Sequence, residues 1–470
     1  MFVKLILLLT TALFLMSCQT EPEKFQQFFD KWSLESISKG IENIGEGTTD
    51  RKSLSTEQHV LDVPNEKAGL PLQYMEFVEK NAKYNVKLAV LNHPEIKSQS
   101  FMRKMATAGI GMAEAAKDLQ ISGSLLTGAK SENSQTEASA VANLSVGRVL
   151  YDYGSSDYAI ASQKEAVRSA ELSEKIAVEK IALEAYKAWI NLAKSHEIEK
   201  VFKRGIDLAT PLLGQIRNIS TSGISDKAGL LAAQQKFASL EIGYAKTKSS
   251  TLAAKAIFDD VFQLSGAVNV VALDPIKLQE KHKNPEDSFS AALDIQANQS
   301  ILNTKSLELK ALKATSNPQV YFRANASLPA ENMREDGIAT VGVDVSYNFN
   351  DGGFKESQME MIRFEMDSIR ERRNELMLVK MSTFKVLEQQ YQVAIKRIKS
   401  AEELLNLASE VRSTVKAQLV SGRSSIQDVM DAEVTFSESE IELLNARADA
   451  AVASYEIFTL TDSLSQHIGW

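Results

Sequence analysis

Residues 384–408 read FKVLEQQYQVAIKRIKSAEELLNLA. Within this stretch Phe384, Leu387, Tyr391, Ala394, Ile398, Ala401, Leu405 and Ala408 recur at spacings of 3, 4, 3, 4, 3, 4 and 3. An apolar residue every three and a half positions is a coiled-coil seam, with large residues at one position and mostly alanine at the other. The seam lies inside a longer tract. From about 355 to 419, and again from about 155 to 219, the chain offers some 65 residues of helix-compatible sequence. At 1.5 Å per residue each helix runs roughly 100 Å, too long to bury itself within a compact globule. The nine prolines stand at 22, 64, 71, 94, 211, 275, 285, 318 and 329, so 95–210 and 330–470 hold none. Only Pro211 falls inside an expected long helix, and a kink is expected there.

Outward from the seam, the sequence repeats itself. Asp118-Leu119-Gln120-Ile121 aligns with Asn317-Pro318-Gln319-Val320, and Pro94-Glu95-Ile96 with Leu293-Asp294-Ile295. Asp152-Tyr153-Gly154 aligns with Asp351-Gly352-Gly353, and Ser222-Gly223-Ile224-Ser225 with Ser421-Gly422-Arg423-Ser424. The differences 317−118, 293−94, 353−154 and 422−223 are all 199. Random similarity does not keep one register across four separated anchors. Each copy reads as a helical segment (about 93–117 and 287–316), a strand pair, a very long helix, a glycine-containing turn and another long helix.

In the second copy, Ala339, Val341, Val343, Val345, Tyr347 and Phe349 alternate with Thr340, Gly342, Asp344, Ser346 and Asn348. Period two marks a strand with one apolar and one polar face. Its partner sets Val320, Phe322, Ala324, Ala326 and Leu328 against Tyr321, Arg323, Asn325 and Ser327. The first copy alternates over Ala142–Leu150 and more loosely over Ile121–Gly128. Strands of about ten residues suit a transmembrane barrel. A soluble antiparallel sheet shows the same alternation, so the strands alone favour that simpler reading. The 100 Å helices break the tie.

The amino terminus reads as a processing signal. Lys4 precedes an apolar run, Leu5–Met16, too short to span a bilayer as a helix. It ends in Leu15-Met16-Ser17-Cys18, which resembles a bacterial lipobox and implies cleavage before Cys18 with acylation of its thiol. A plain secretory signal with an incidental cysteine is the alternative. Cys18 is the only cysteine, so no intrachain disulfide is possible. The rest of the chain has no apolar run long enough for a membrane helix. Net charge is −8; without Lys4, 52 basic against 61 acidic residues leave −9, and nucleic acid is not a suggested partner.

Taken together, these residues resemble the TolC-like outer-membrane efflux protein family over roughly residues 72–462. The likeness includes His93-Pro94-Glu95-Ile96, Asn317-Pro318-Gln319-Val320, Asn350-Asp351-Gly352-Gly353, Ser421–Ala432 and Leu444-Asn445-Ala446-Arg447. The resemblance implies a mixed α and β fold. Three protomers, each giving four strands, would form a twelve-stranded barrel continued by an α-helical periplasmic tunnel. It also implies a homotrimer working with a periplasmic adaptor and an inner-membrane pump or ABC transporter. The lipobox looks like the family's lipid-anchored branch. The expected divisions are a leader at 1–17, a tether at 18–71, repeats at 72–284 and 285–462, and a tail at 463–470.

Several positions follow as expectations. The tips, Thr221, Ser222 and Gly223 with Ser421, Gly422 and Arg423, would dock the adaptor, although turn glycines and helix-capping serines explain them locally. Asp428 and Asp431 would ring the periplasmic entrance of the tunnel. Their simpler reading is helix-dipole complementation, with Ser425-x-x-Asp428 a capping-box variant. The first copy, however, has Gly229 and Ala232 at the matching positions. The family's basic gate residue aligns with Ser424, whereas the arginine here is Arg423, one position earlier. Tyr151, Tyr153, Tyr347 and Phe349 would sit near the periplasmic membrane interface. The five histidines (59, 93, 196, 282, 467) show no metal-ligand spacing. No phosphate loop or nucleophile elbow is present, and neither a cofactor nor an enzyme activity is expected. The expected role is a passive outlet for small-molecule efflux. A type I protein-secretion outlet and a pore-less coiled-coil scaffold or adaptor lipoprotein are the alternatives.

Overall fold

A computed structural model describes residues 81–132, 135–221, 227–264, 268, 270–278, 289–329 and 337–470. The leader, Cys18, the 18–71 tether, Ser222 and Gly223 lie outside the described residues. The elements are α1 (Ala82–Asn92), α2 (Pro94–Ala115), β1 (Gln120–Glu132), β2 (Gln135–Tyr151), α3 (Ser155–Thr221) and α4 (Lys227–Phe262). Then come α5 (Leu293–Ala314), β3 (Gln319–Pro329), β4 (Ile338–Ser346), α6 (Phe354–Val420), α7 (Ile426–Leu460) and α8 (Leu464–Ile468). The 199-residue register governs the elements themselves. Subtraction of starts gives 293−94, 319−120, 354−155 and 426−227, each 199. Both α3 and α6 are 67 residues long. α3 is continuous through Pro211, which has no N–H to donate to the preceding turn.

Each strand-to-helix junction uses one device twice. Asp152 accepts from the backbone N–H groups of Gly154 (3.0 Å) and Ser156 (2.8 Å). Asp351 accepts from those of Gly353 (3.0 Å) and Lys355 (3.2 Å). The carboxylates satisfy orphan donors of the first helical turn. Gly154 and Gly353 take φ +82° and +85°, where a side chain is strained.

The strands form one sheet in the order β1-β2-β3-β4. Two extents differ from expectation. β1 and β2 are longer than their alternation indicated. β4 stops at Ser346, so the Tyr347–Phe349 end of the pattern lies outside the sheet. The reason is local: Asn348 accepts from the Asn350 N–H (3.3 Å) and Asn350 from the Gly352 N–H (2.9 Å). Side chains thereby take backbone donors that a strand would pair.

The chain falls into two units. One includes Ser122–Ser145 and Asn325–Thr340, where the Ser145 hydroxyl donates to Asn325 Oδ1 at 2.8 Å. The other includes the helices and the strand ends that join them. Its main core gathers α1, the middle of α3, the ends of α4 and α7, and α8 around Trp189, Tyr186, Phe258 and Leu464. Trp189 is fully buried, and its indole N–H donates to the Val271 carbonyl at 2.8 Å. A second cluster joins the far part of α3 to the starts of α4 and α7 through Ala209, Leu213, Ala233, Leu240 and Met430. The α6 seam is buried where expected, at Phe384, Leu387, Ala394, Ala401 and Ala408.

Candidate functional site

The turn between α6 and α7 is built by hydrogen bonds back onto the helix end. Gly422 N–H reaches the Leu419 carbonyl (3.1 Å), and Arg423 N–H the Gln418 carbonyl (2.9 Å), with Gly422 at φ +72°. Ser424 hydroxyl bonds Gln418 Oε1 at 3.4 Å. Arg423 is exposed and makes no ion pair among the described residues. Val420 is 91% exposed, an apolar side chain standing in solvent at the tip.

The acidic pair follows at once. Ser425 and Asp428 close a capping box. The Ser425 N–H reaches Asp428 Oδ2 at 2.7 Å, and the Asp428 N–H reaches Ser425 Oγ at 3.1 Å. The Ser425 backbone N–H and then its hydroxyl hold the Asp428 carboxyl below the usual range. Asp428 is exposed, so its second face is free for solutes. Asp431 Oδ1 lies 3.5 Å from Lys236 Nζ on α4. The two acids therefore have separate local partners. The matching positions of the first copy are Gly229 and Ala232. Gly229 lies against α7, where a Cβ would stand 3.4 Å from Gln427 Oε1.

Just beyond, Glu433 is buried between α7 and α6. Arg412 Nε meets its Oε1 at 2.8 Å, Lys416 also pairs with it, and the Arg412 guanidinium lies 4.4 Å from the Phe436 ring centre. Further along, Arg397 reaches Glu442 and Asp449, both at 2.8 Å, and Arg447 reaches Glu402 at 2.9 Å. These pairs tie α6 to α7.

At the strand roots, Val149, Tyr321 and Ser346 line one cleft of about 310 Å³ together with Asp152 and Lys355. The same face carries Arg323, 3.2 Å from Asp344 and 5.4 Å from the Tyr321 ring centre. The opposite face carries Phe322, Val341, Val343 and Val345. The four aromatics form two exposed pairs. Tyr151 and Tyr153 have ring centres 4.8 Å apart, and Tyr347 and Phe349 lie 4.7 Å apart edge to face.

Several features escaped sequence reading. Lys236 on α4 reaches Asp431, and Glu433 on α7 meets Arg412 and Lys416 on α6, pairings between helices that no local spacing announces. A second apolar stripe on α6 was legible and overlooked: Val379, Val386, Val393 and Leu407 are all exposed and all in one heptad register. Among the described residues no helix is long and apolar enough to cross a membrane.

No protein-family model matches the chain, and no curated protein does. Solved structures do. The Campylobacter jejuni CmeC outer membrane channel matches at TM-score 0.71 and 12% identity, over 83% of this chain and 88% of that one. The outer membrane protein VceC of Vibrio cholerae matches at 0.66 and 14%, over 83% and 96%. The Neisseria gonorrhoeae MtrE outer membrane channel, in its open state, matches at 0.69 and 10%, over 82% and 89%. The chain has the fold of the TolC-like outer-membrane channels, with one protomer's four barrel strands and long helices.

Proposed function

We propose that the chain is one protomer of a homotrimeric outer-membrane duct, lipid-anchored through Cys18, with its helices extending into the periplasm. One observation carries this reading. Two hairpins share a single sheet with a polar and an apolar face, and each runs directly into a 67-residue helix. A sheet apolar on one side suits lipid, and closure with neighbouring copies satisfies its edges β1 and β4. The exposed stripe Val379, Val386, Val393 and Leu407 gives α6 a second seam for another protomer. The fold shared with named outer membrane channels supports the same reading.

In this duct a periplasmic adaptor engages the tips, with Val420 and Arg423 offering apolar and cationic contacts. An inner-membrane pump supplies the energy, and small molecules are the cargo. Asp428 and Asp431, repeated about the threefold axis, favour cations at the entrance as charged rings do in channels. The direct test is planar-bilayer conductance of the detergent-extracted, heat-modifiable trimer. Monomers without conductance would overturn the duct. For the ring, D428N combined with D431N is expected to lower cation selectivity and block by multivalent cations. K236A, which releases Asp431, is expected to raise selectivity. Unchanged selectivity in both would remove the aspartates from the conduit.

A further inference from the structure

The apolar face of the sheet carries one cation. Val149, Tyr321 and Ser346 face the cleft, so by alternation their neighbours Arg148, Phe322 and Val345 face the other way. Leu150 and Val320, two positions along from Arg148 and Phe322, share that apolar side. Arg148 is exposed, and its side chain makes no ion pair or hydrogen bond among the described residues. Nearby carboxylates are occupied. Asp157 pairs with Lys117 Nζ at 2.6 Å, and Asp152 accepts from Gly154 and Ser156. Arg148 thus stands without a counter-ion among the described residues where β2 ends and the exposed Tyr151–Tyr153 pair begins.

An unpaired guanidinium on an apolar surface is costly in hydrocarbon and is placed favourably only where it reaches headgroups. It matches phosphate by two parallel hydrogen bonds, which an ammonium does not. We propose that Arg148 binds the phosphate of an anionic phospholipid in the periplasmic leaflet, with Leu150, Phe322 and Val345 receiving the upper acyl chain. The guanidinium charge favours a headgroup of net negative charge. The site rests on the duct reading, since it requires the apolar face to meet lipid. It fixes the depth of the barrel from its periplasmic side.

The test uses the full-length protein reconstituted into vesicles of phosphatidylcholine with or without phosphatidylglycerol. Flotation with the vesicles checks insertion, and native mass spectrometry of the re-extracted protein reads retained lipid. Wild type is expected to retain phosphatidylglycerol over phosphatidylcholine. R148Q is expected to weaken that preference about fivefold, as loss of one surface cation does, with R148K intermediate. Equal preference in wild type and R148Q, with normal flotation, overturns the lipid site and leaves the duct standing. Failure to float overturns the duct and the site with it.

Discussion

The two copies of the repeat start α2 and α5, α3 and α6, and α4 and α7 at matching residues, yet they bury opposite things. In α3, Trp189 and Tyr186 sit in the main core; 199 residues on, α6 has Glu388 and Lys385. Glu179 of α3 is buried, whereas its counterpart Leu378 is 72% exposed. The first copy gives the middle of its long helix to the main core. In the second copy α6 packs along one seam and by ion pairs against α7 of the same copy, and leaves an apolar flank open. A duplicated backbone therefore does not dictate a duplicated environment. The middle of α3 goes into the core, while α6 keeps an apolar stripe exposed.

The largest test of that contrast is W189A against E388A. Removing a fully buried tryptophan is expected to cost about 3–5 kcal/mol, and the matching change in α6 less than about 1 kcal/mol. Denaturant unfolding measures both, and equal losses would break the distinction. Next comes the ion cluster. E433A leaves Arg412 and Lys416 facing each other without their carboxylate. The lysine and arginine can partly rehydrate, so the expected cost is about 2–3 kcal/mol. Q234A, at the matching position of the first copy, is expected to cost about 0.5 kcal/mol or less. Hydrogen exchange along α6 and α7 should localise the first loss.

The smallest effect concerns Glu179 itself. Burial pushes its carboxyl up to about 7, although the Ser465 hydroxyl and the Ser465 and Leu464 N–H groups oppose this by favouring the charged form. A folded value above the ordinary 4.5 means the fold favours the protonated group. Its contribution is full below about 4.5 and declines as pH rises to about 7. Thermal melts of wild type against E179Q should therefore diverge across that window, with wild type losing ground at higher pH. Parallel curves would show that the donors around α8 keep the group charged. L378Q, at the exposed counterpart, should introduce no such dependence.

Much of this was legible in the chain. The 199-residue offset, the two 67-residue helices, the buried alanine positions of the α6 seam and the Ser425–Asp428 capping box are local patterns. Each depends on residues a few positions apart, where helical or strand periodicity translates directly into geometry. Other features were not legible for the same reason. Glu433 meets Arg412 from 21 residues away, Glu179 reaches Leu464 from 285, and Lys236 finds Asp431 across two helices. By itself the sequence determined the repeat, the kinds of element and the span of the long helices, because periodicity is local. Only the folded chain decided which copy would be core and which would be surface, because burial depends on what arrives from elsewhere.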